Sequence, residues 1–233
     1  MRQAPPLVLI PGLMCDAGLF SALLPHLSRT RALFVADVAQ DDTMSGMADR
    51  LLSQIGGEFD LLGFSMGGMV AHEVLRCAPG RVRRLALLDT NASADPPEAA
   101  DWRQTCIERA QNGELMDIVS KELVPRYFDP KRPAPELEAH CIDCAEAIGA
   151  GVFVRQFAAL GSRLDHHDTL RSFEGQALVL RGASDELCNM EAHLRMADAL
   201  PNARYIEIEG AAHLSVLERP TAVTVALMDW LKD

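Results

Sequence analysis

Phe59-Asp60-Leu61-Leu62-Gly63-Phe64-Ser65-Met66-Gly67-Gly68 joins a strand-like apolar run to a glycine-rich turn. From Met66 through Met69, Val70, Ala71, Val74 and Leu75 the apolar residues recur at helical spacing, so the segment reads as strand, sharp turn, helix. A serine at such a turn has a strained backbone and close neighbours. The positions two before and two after it must carry almost no side chain, and both are glycine here; Gly68 lets the helix pack close as well. The turn lifts the Ser65 hydroxyl above a sheet and aims the first unpaired N–H groups of the helix at whatever binds there. This is the layout of a nucleophile elbow. A bare Gly-x-Ser-x-Gly would be an ordinary loop; the strand before it and the helix after it favour the catalytic reading.

On either side of this turn, strands alternate with helices. Residues 7–10 read as a buried strand, 19–27 as an amphipathic helix, 32–38 as a second strand, 43–55 as a helix ended by Gly56-Gly57, and 82–88 as a further strand. Strand 176–181, a helix from about 190 to 200, strand 204–208 and a last helix opened by Pro220 follow later. Such alternation predicts a parallel sheet with helices on both faces. Between 91 and 168 no strand pattern appears. Four helical patterns, around Trp102, Leu115, Leu137 and Phe153, are separated by glycines and by prolines at 96–97 and 130–135. The expected organisation is a core of residues 1–90 and 169–233 with an all-helical insertion at 91–168.

The 233 residues suit one domain, and 48% hydrophobic with 24% charged residues is an ordinary globular balance. A net charge of −11 argues against nucleic acid or an anionic membrane as partner and favours a small, neutral or amphipathic molecule. The apolar run Leu7-Val8-Leu9-Ile10 stops at Pro11-Gly12, too short for a signal-peptide core, so a cytoplasmic location is expected. Six cysteines scattered at 15, 77, 106, 141, 144 and 188 suit reduced thiols. Cys141-x-x-Cys144 has metal-pair spacing but no second pair, and its helical setting favours simple helix positions.

A serine hydroxyl needs a base, and the base needs an orienting acceptor. In a parallel α/β sheet these groups sit in loops at the carboxyl ends of strands. That search finds Asp185 after strand 176–181 and His213 after strand 204–208, in the order Ser65, Asp185, His213. Gly63-Phe64-Ser65-Met66-Gly67-Gly68, Leu178-Val179-Leu180-x-Gly182-x-x-Asp185 and Gly210-x-x-His213-Leu214-x-x-Leu217-Glu218-x-Pro220 together resemble the nucleophile, acid and base segments of α/β-hydrolase-fold serine hydrolases. The resemblance covers essentially the whole chain. It implies an esterase-like, lid-containing enzyme with a shortened sheet of about six strands, the insertion at 91–168 supplying the lid. It also implies an oxyanion hole from the backbone N–H groups of Leu13 and Met66, and no metal or organic cofactor. The His-Gly usual after the first strand is Pro11-Gly12 here, which leaves backbone donors intact.

Other residues read less sharply. Asp89 also ends a sheet strand and is the alternative triad acid, unless it caps a turn. Met14, Leu214, Trp102, Phe153 and Phe157 are expected to form the substrate wall. His26, His72, His140 and His193 fall on helical stretches and read as surface or core residues. His166-His167-Asp168 has the composition of a metal cluster without an evident third ligand. Glu186 reads as solvated, and Arg163 and Asp165 as a pair beneath the lid. The function expected is cleavage of an ester or thioester of small to medium size. C–C bond hydrolysis, lyase chemistry and a non-catalytic receptor on the same scaffold are the alternatives.

Overall fold

Parallel strands covered on both faces are buried along their whole length, and β1 (Leu7–Ile10) and β3 (Phe59–Phe64) have that pattern. In the computed structural model, which describes residues 4–232, they are joined by β2 (Leu33–Val35), β4 (Val82–Leu88), β5 (Gln176–Gly182) and β6 (Ala203–Ile208). All pair in parallel in the order β2-β1-β3-β4-β5-β6. The chain therefore steps to one side of β1 and then to the other. The crevice at the ends of β1 and β3 is the switch point where ligands bind in open α/β sheets.

The helices of the first half are α1 (Leu24–Leu27), α2 (Met44–Gln54) and α3 (Met66–Cys77). Between β4 and β5 run α4 (Ala100–Gln111), α5 (Leu115–Ile118), α6 (Pro135–Ile148), α7 (Ala150–Gly161) and α8 (His167–Arg171). The second half adds α9 (Met190–Ala199), α10 (Ser215–Glu218) and α11 (Pro220–Trp230). No strand occurs among the described residues between β4 and β5.

Three elements differ from the sequence reading. The helix expected at 19–27 is a 3-10 turn over Ala17–Phe20 followed by the single turn α1, because Pro25 cannot donate to a helix already under way. The strand expected at 32–38 shortens to three residues, being an edge strand whose only partner, β1, is itself short. The pattern around Leu115 holds α-geometry for one turn, widens into a π turn at Val119–Leu123 and tightens at Val124–Arg126, where Pro125 interrupts the ladder.

Asp60 is the one acid within the apolar β3 and is fully buried, a placement tolerable only with its charge answered. Arg31 and Arg83 both pair with it, and Arg31 reaches on to the Leu231 carbonyl. A very tight backbone approach lies at the opposite end of β3. A Cβ on Gly67 would stand 2.1 Å from the Ile10 carbonyl oxygen, and one on Gly63 would stand 2.5 Å from the Gly67 carbonyl oxygen. Gly67→Ala is accordingly expected to lose about 3 kcal/mol or more in urea unfolding. Gly80→Ala, where a Cβ meets nothing within 4 Å, should stay within about 0.5 kcal/mol of wild type.

Candidate active site

Ser65 sits at φ 51° between β3 and α3, a left-handed conformation rare for a non-glycine residue. It is held there from three sides. Its N–H donates to Leu88 O at 2.9 Å, its carbonyl accepts from Gly68 N at 2.9 Å, and it also accepts from Thr90 Oγ1 at 2.7 Å. The Oγ then stands 2.9 Å from His213 Nε2, and His213 Nδ1 stands 2.9 Å from Asp185 Oδ2. The second oxygen of Asp185 accepts from Leu187 N and Cys188 N, each at 2.9 Å. With Nδ1 facing a carboxylate, the imidazole carries its proton there and presents Nε2 as an acceptor to the serine. The three residues placed on separate loops by the sequence thus form one hydrogen-bonded line.

His213 is held by more than its acid. Its N–H donates to Tyr127 O at 3.0 Å, and its ring lies 5.6 Å from that of Phe64 and 5.7 Å from that of Tyr127. Burial alone would pull its pKa down, but the charge and hydrogen bond of Asp185 outweigh it and hold the imidazole above its ordinary 6.5. Burial raises Asp185 too, while the imidazolium and the N–H donors lower it, with a net shift below 3.8.

Asp89 makes no hydrogen bond to His213. It is fully buried at φ 48°, accepts from Gly182 N at 2.7 Å and is hydrogen-bonded to the Ser215 hydroxyl. Burial, reinforced by the negative charge of Asp185, raises its pKa well above the ordinary 3.8. The turn cap considered for Asp89 is made two residues on, where Asn91 Oδ1 accepts from Ser93 N at 3.2 Å.

The N–H of Met66 opens α3 and has no intrahelical partner, and that of Leu13 makes no hydrogen bond to a described residue. The intervening donor is occupied: Met14 N gives its hydrogen to Gln156 Oε1 at 2.9 Å, while Gln156 Nε2 donates to Val38 O at 3.2 Å. Gln156 is 1% exposed. Its contacts with residues more than a hundred positions away gave no signal in the sequence beyond a place on the inward face of α7.

Above the line lies a cavity of about 390 Å³. Leu13, Met14, Met66, Trp102, Phe157 and Leu214 line it. Phe153 does not; it is fully buried behind Phe157, stacked on it at 4.1 Å between centroids. The pairing expected of Arg163 and Asp165 is also different. Arg163 pairs with Asp95 at 2.6 Å, and Asp165 accepts from His167 Nδ1 at 2.8 Å. Tyr127, Cys15, Cys141, Cys144 and His140 border the cavity without having been singled out as its wall.

The remaining histidines have separate settings. His193 is buried, taking the Thr90 N–H on Nε2 at 3.2 Å and facing Asn189 O with Nδ1 at 3.0 Å; burial holds it at about 4. Buried His72 is pushed down to about 3. His166 faces Glu73 at 3.2 Å while His167 turns to Asp165, so the adjacent pair does not converge on one centre. Among the described residues, three metal-ligating atoms come together only at Asp185, Cys188 and His213. There Asp185 and His213 are already bonded to each other, and burial holds the Cys188 thiol far above its ordinary range. No helix among the described residues is long and apolar enough to cross a membrane.

Comparison with known proteins agrees with this architecture. The pimeloyl-[acyl-carrier protein] methyl ester esterase of Aromatoleum aromaticum is 27% identical over 97% of both chains. The (E)-2-((N-methylformamido)methylene)succinate hydrolase of Acinetobacter baylyi is 25% identical over 99% of this chain and 91% of its own. A thermophilic esterase from Thermogutta terrifontis, in a malate-bound structure, superposes with a TM-score of 0.89 at 27% identity, covering 98% of this chain and 90% of that one. The profile of the alpha/beta hydrolase family matches residues 7–227, and with the parallel sheet and the strand-to-helix turn at Ser65 this chain belongs to the alpha/beta hydrolase family.

Proposed function

We propose that the protein is a serine hydrolase that cleaves a carboxylic ester or thioester through an acyl-enzyme. The observation that carries this reading is the unbroken line from Ser65 Oγ through His213 to Asp185, each step 2.9 Å, on the floor of a largely apolar cavity. Ser65 Oγ attacks the acyl carbonyl while His213 Nε2 takes its proton. Asp185 holds the tautomer and stabilises the imidazolium that forms. The oxyanion is received by the N–H groups of Leu13 and Met66, the latter adding the partial positive charge of the α3 N-terminus. His213 then returns the proton to the departing alcohol or thiol. Water enters, gives a proton to His213, attacks the acyl carbon, and the acid leaves as Ser65 recovers its hydrogen. Residues 91–168 act as the helical lid that bounds the substrate, and the protein groups suffice for every proton moved.

The first test is reaction of the purified chain with a fluorophosphonate and with short 4-nitrophenyl esters. Labelling together with ester turnover is expected, and Ser65→Ala should remove both, with kcat down by roughly 10⁶. Labelling without turnover would leave a pocket with a reactive serine and no esterase.

Because only the neutral imidazole can accept the Ser65 proton, kcat/KM should fall as pH is lowered through the pKa of His213. That pKa is raised, so the midpoint is expected above 6.5; a profile flat from there down through pH 5 would exclude a histidine base.

The two buried carboxylates should separate on mutation. Asp185→Asn removes the charge that orients and lifts His213, and should cost about 10⁴ in kcat with the fold retained. Asp89→Asn keeps an oxygen for Gly182 N and leaves the line from Ser65 through His213 to Asp185 intact, so most activity should survive. Activities in the opposite order, measured on folded variants, would transfer the orienting role to Asp89.

A further inference from the structure

The cavity has a charge opposite to that of the chain. The protein carries −11 overall, yet among the described residues the formally charged side chains lining the cavity are three arginines, Arg103, Arg126 and Arg163, and one aspartate, the exposed Asp16. Two of those arginines share a single acid. Arg103 binds Asp95 with both Nε and Nη2, at 2.7 and 2.6 Å, and stacks over Trp102 and Phe157. Arg163 Nη1 approaches the same Asp95 Oδ1 at 2.6 Å. All three side chains are nearly buried, at 13%, 10% and 7% exposure for Arg103, Arg163 and Asp95.

A lid clamp needs one arginine per carboxylate; the second leaves a net positive charge in a desolvated wall, a costly arrangement unless something answers it. Arg163 is the group left wanting. Its Nε donates to Ser93 O and its Nη1 to Leu160 O, while Nη2 makes no hydrogen bond to a described residue. Burial lowers its pKa, Asp95 opposes that shift, and Arg103 adds to it. Backbone carbonyls and a shared carboxylate do not neutralise a guanidinium, whose planar fork suits a further carboxylate.

We infer that Arg163, backed by the Arg103–Asp95 pair, is an anion subsite of this cavity, and that the substrate is an ester carrying a carboxylate remote from its scissile bond, such as the monoester of a short dicarboxylic acid. The inference rests on the hydrolase reading for its scissile bond and amends the expectation of a neutral substrate. An apolar linker lies along Phe157, Met14 and Leu214 while the two ends meet the oxyanion donors and Arg163. The cavity's 390 Å³, near the small end of ligand pockets, suits such a compact molecule.

Binding can be read without turnover. Ser65→Ala protein is titrated by calorimetry with monomethyl glutarate and with methyl pentanoate, which share a chain length and differ in the terminal carboxylate. About tenfold or tighter binding of the glutarate is expected, the worth of one charge-assisted hydrogen bond to arginine. Raising the ionic strength should narrow the gap, and Arg163→Met on the Ser65→Ala background should close it, with Arg163→Lys keeping part of it. Equal affinity, or tighter binding of the pentanoate, overturns the subsite even if the Arg163 variants fail to fold. The hydrolase reading fails differently: wild-type protein would bind monomethyl glutarate with the stated preference and release no methanol.

Discussion

Two backbones approach so closely above the sheet that neither tolerates a side chain. The first turn of α3 lies against the end of β1, with Gly67 over the Ile10 carbonyl and Gly63 beneath the same turn. Everything at the site follows from this contact. It brings the loop after β1 beside the start of α3, so that Leu13 and Met66, from elements distant in sequence, line one cavity. It also forces the residue between strand and helix into the left-handed region, which directs Ser65 Oγ out of the sheet and toward the loop after β6. The strain is met by a hydrogen bond to the β4 carbonyl of Leu88 and by two donors to the Ser65 carbonyl, Gly68 N of the turn and the Thr90 hydroxyl.

The same crowding puts two aspartates under one histidine, and the fold treats them differently. Two carboxylates this near cannot both ionise cheaply in a desolvated place. Asp185 receives two backbone N–H groups on one oxygen and the imidazole on the other, so its charge is favoured. Asp89 receives one backbone N–H and a hydroxyl, and burial together with the charge of Asp185 pushes its pKa up. It joins the end of β5 to Ser215, two residues beyond His213, and so braces the loop that carries His213. Which carboxylate faces the imidazole is thus decided by the count of donors around each, a quantity set by tertiary placement.

Local signals made much of this legible. The elbow announces itself because its glycines, serine and flanking periodicities are contiguous, and Asp185 and His213 are found because each follows an apolar run ending at a glycine-containing loop. What stayed hidden depends on contacts across the sequence. Phe153 and Phe157 lie four apart on one face of α7, so spacing places them together but cannot tell which reaches the cavity and which backs it. Arg163 has Asp165 two residues away, and its real partner, Asp95, comes from the far end of the insertion. Gln156 reads as an interruption of an apolar face until its partners, Met14 and Val38, are seen beside it. The shortened β2 and the broken helix at 17–27 are failures of a different kind, in which an edge position and a proline override an adequate apolar pattern.

Gln156 carries a consequence for how selection and rate are connected in the proposed mechanism. By taking the Met14 N–H it fixes the left-handed residue that follows Leu13, the second oxyanion donor of that mechanism. Gln156 belongs to α7, the helix that also presents Phe157 to the cavity and leads directly to Arg163. A displacement of α7 that widened the cavity for a larger substrate would therefore pull on the loop that receives the oxyanion. Donors for a developing charge are worth most when held rigidly, and small misplacement costs rate steeply. On the proposed mechanism the wall that measures the substrate and the hole that stabilises its transition state are tied through one buried amide, so a broader choice of substrate comes with a weaker oxyanion hole unless Met14 finds another acceptor.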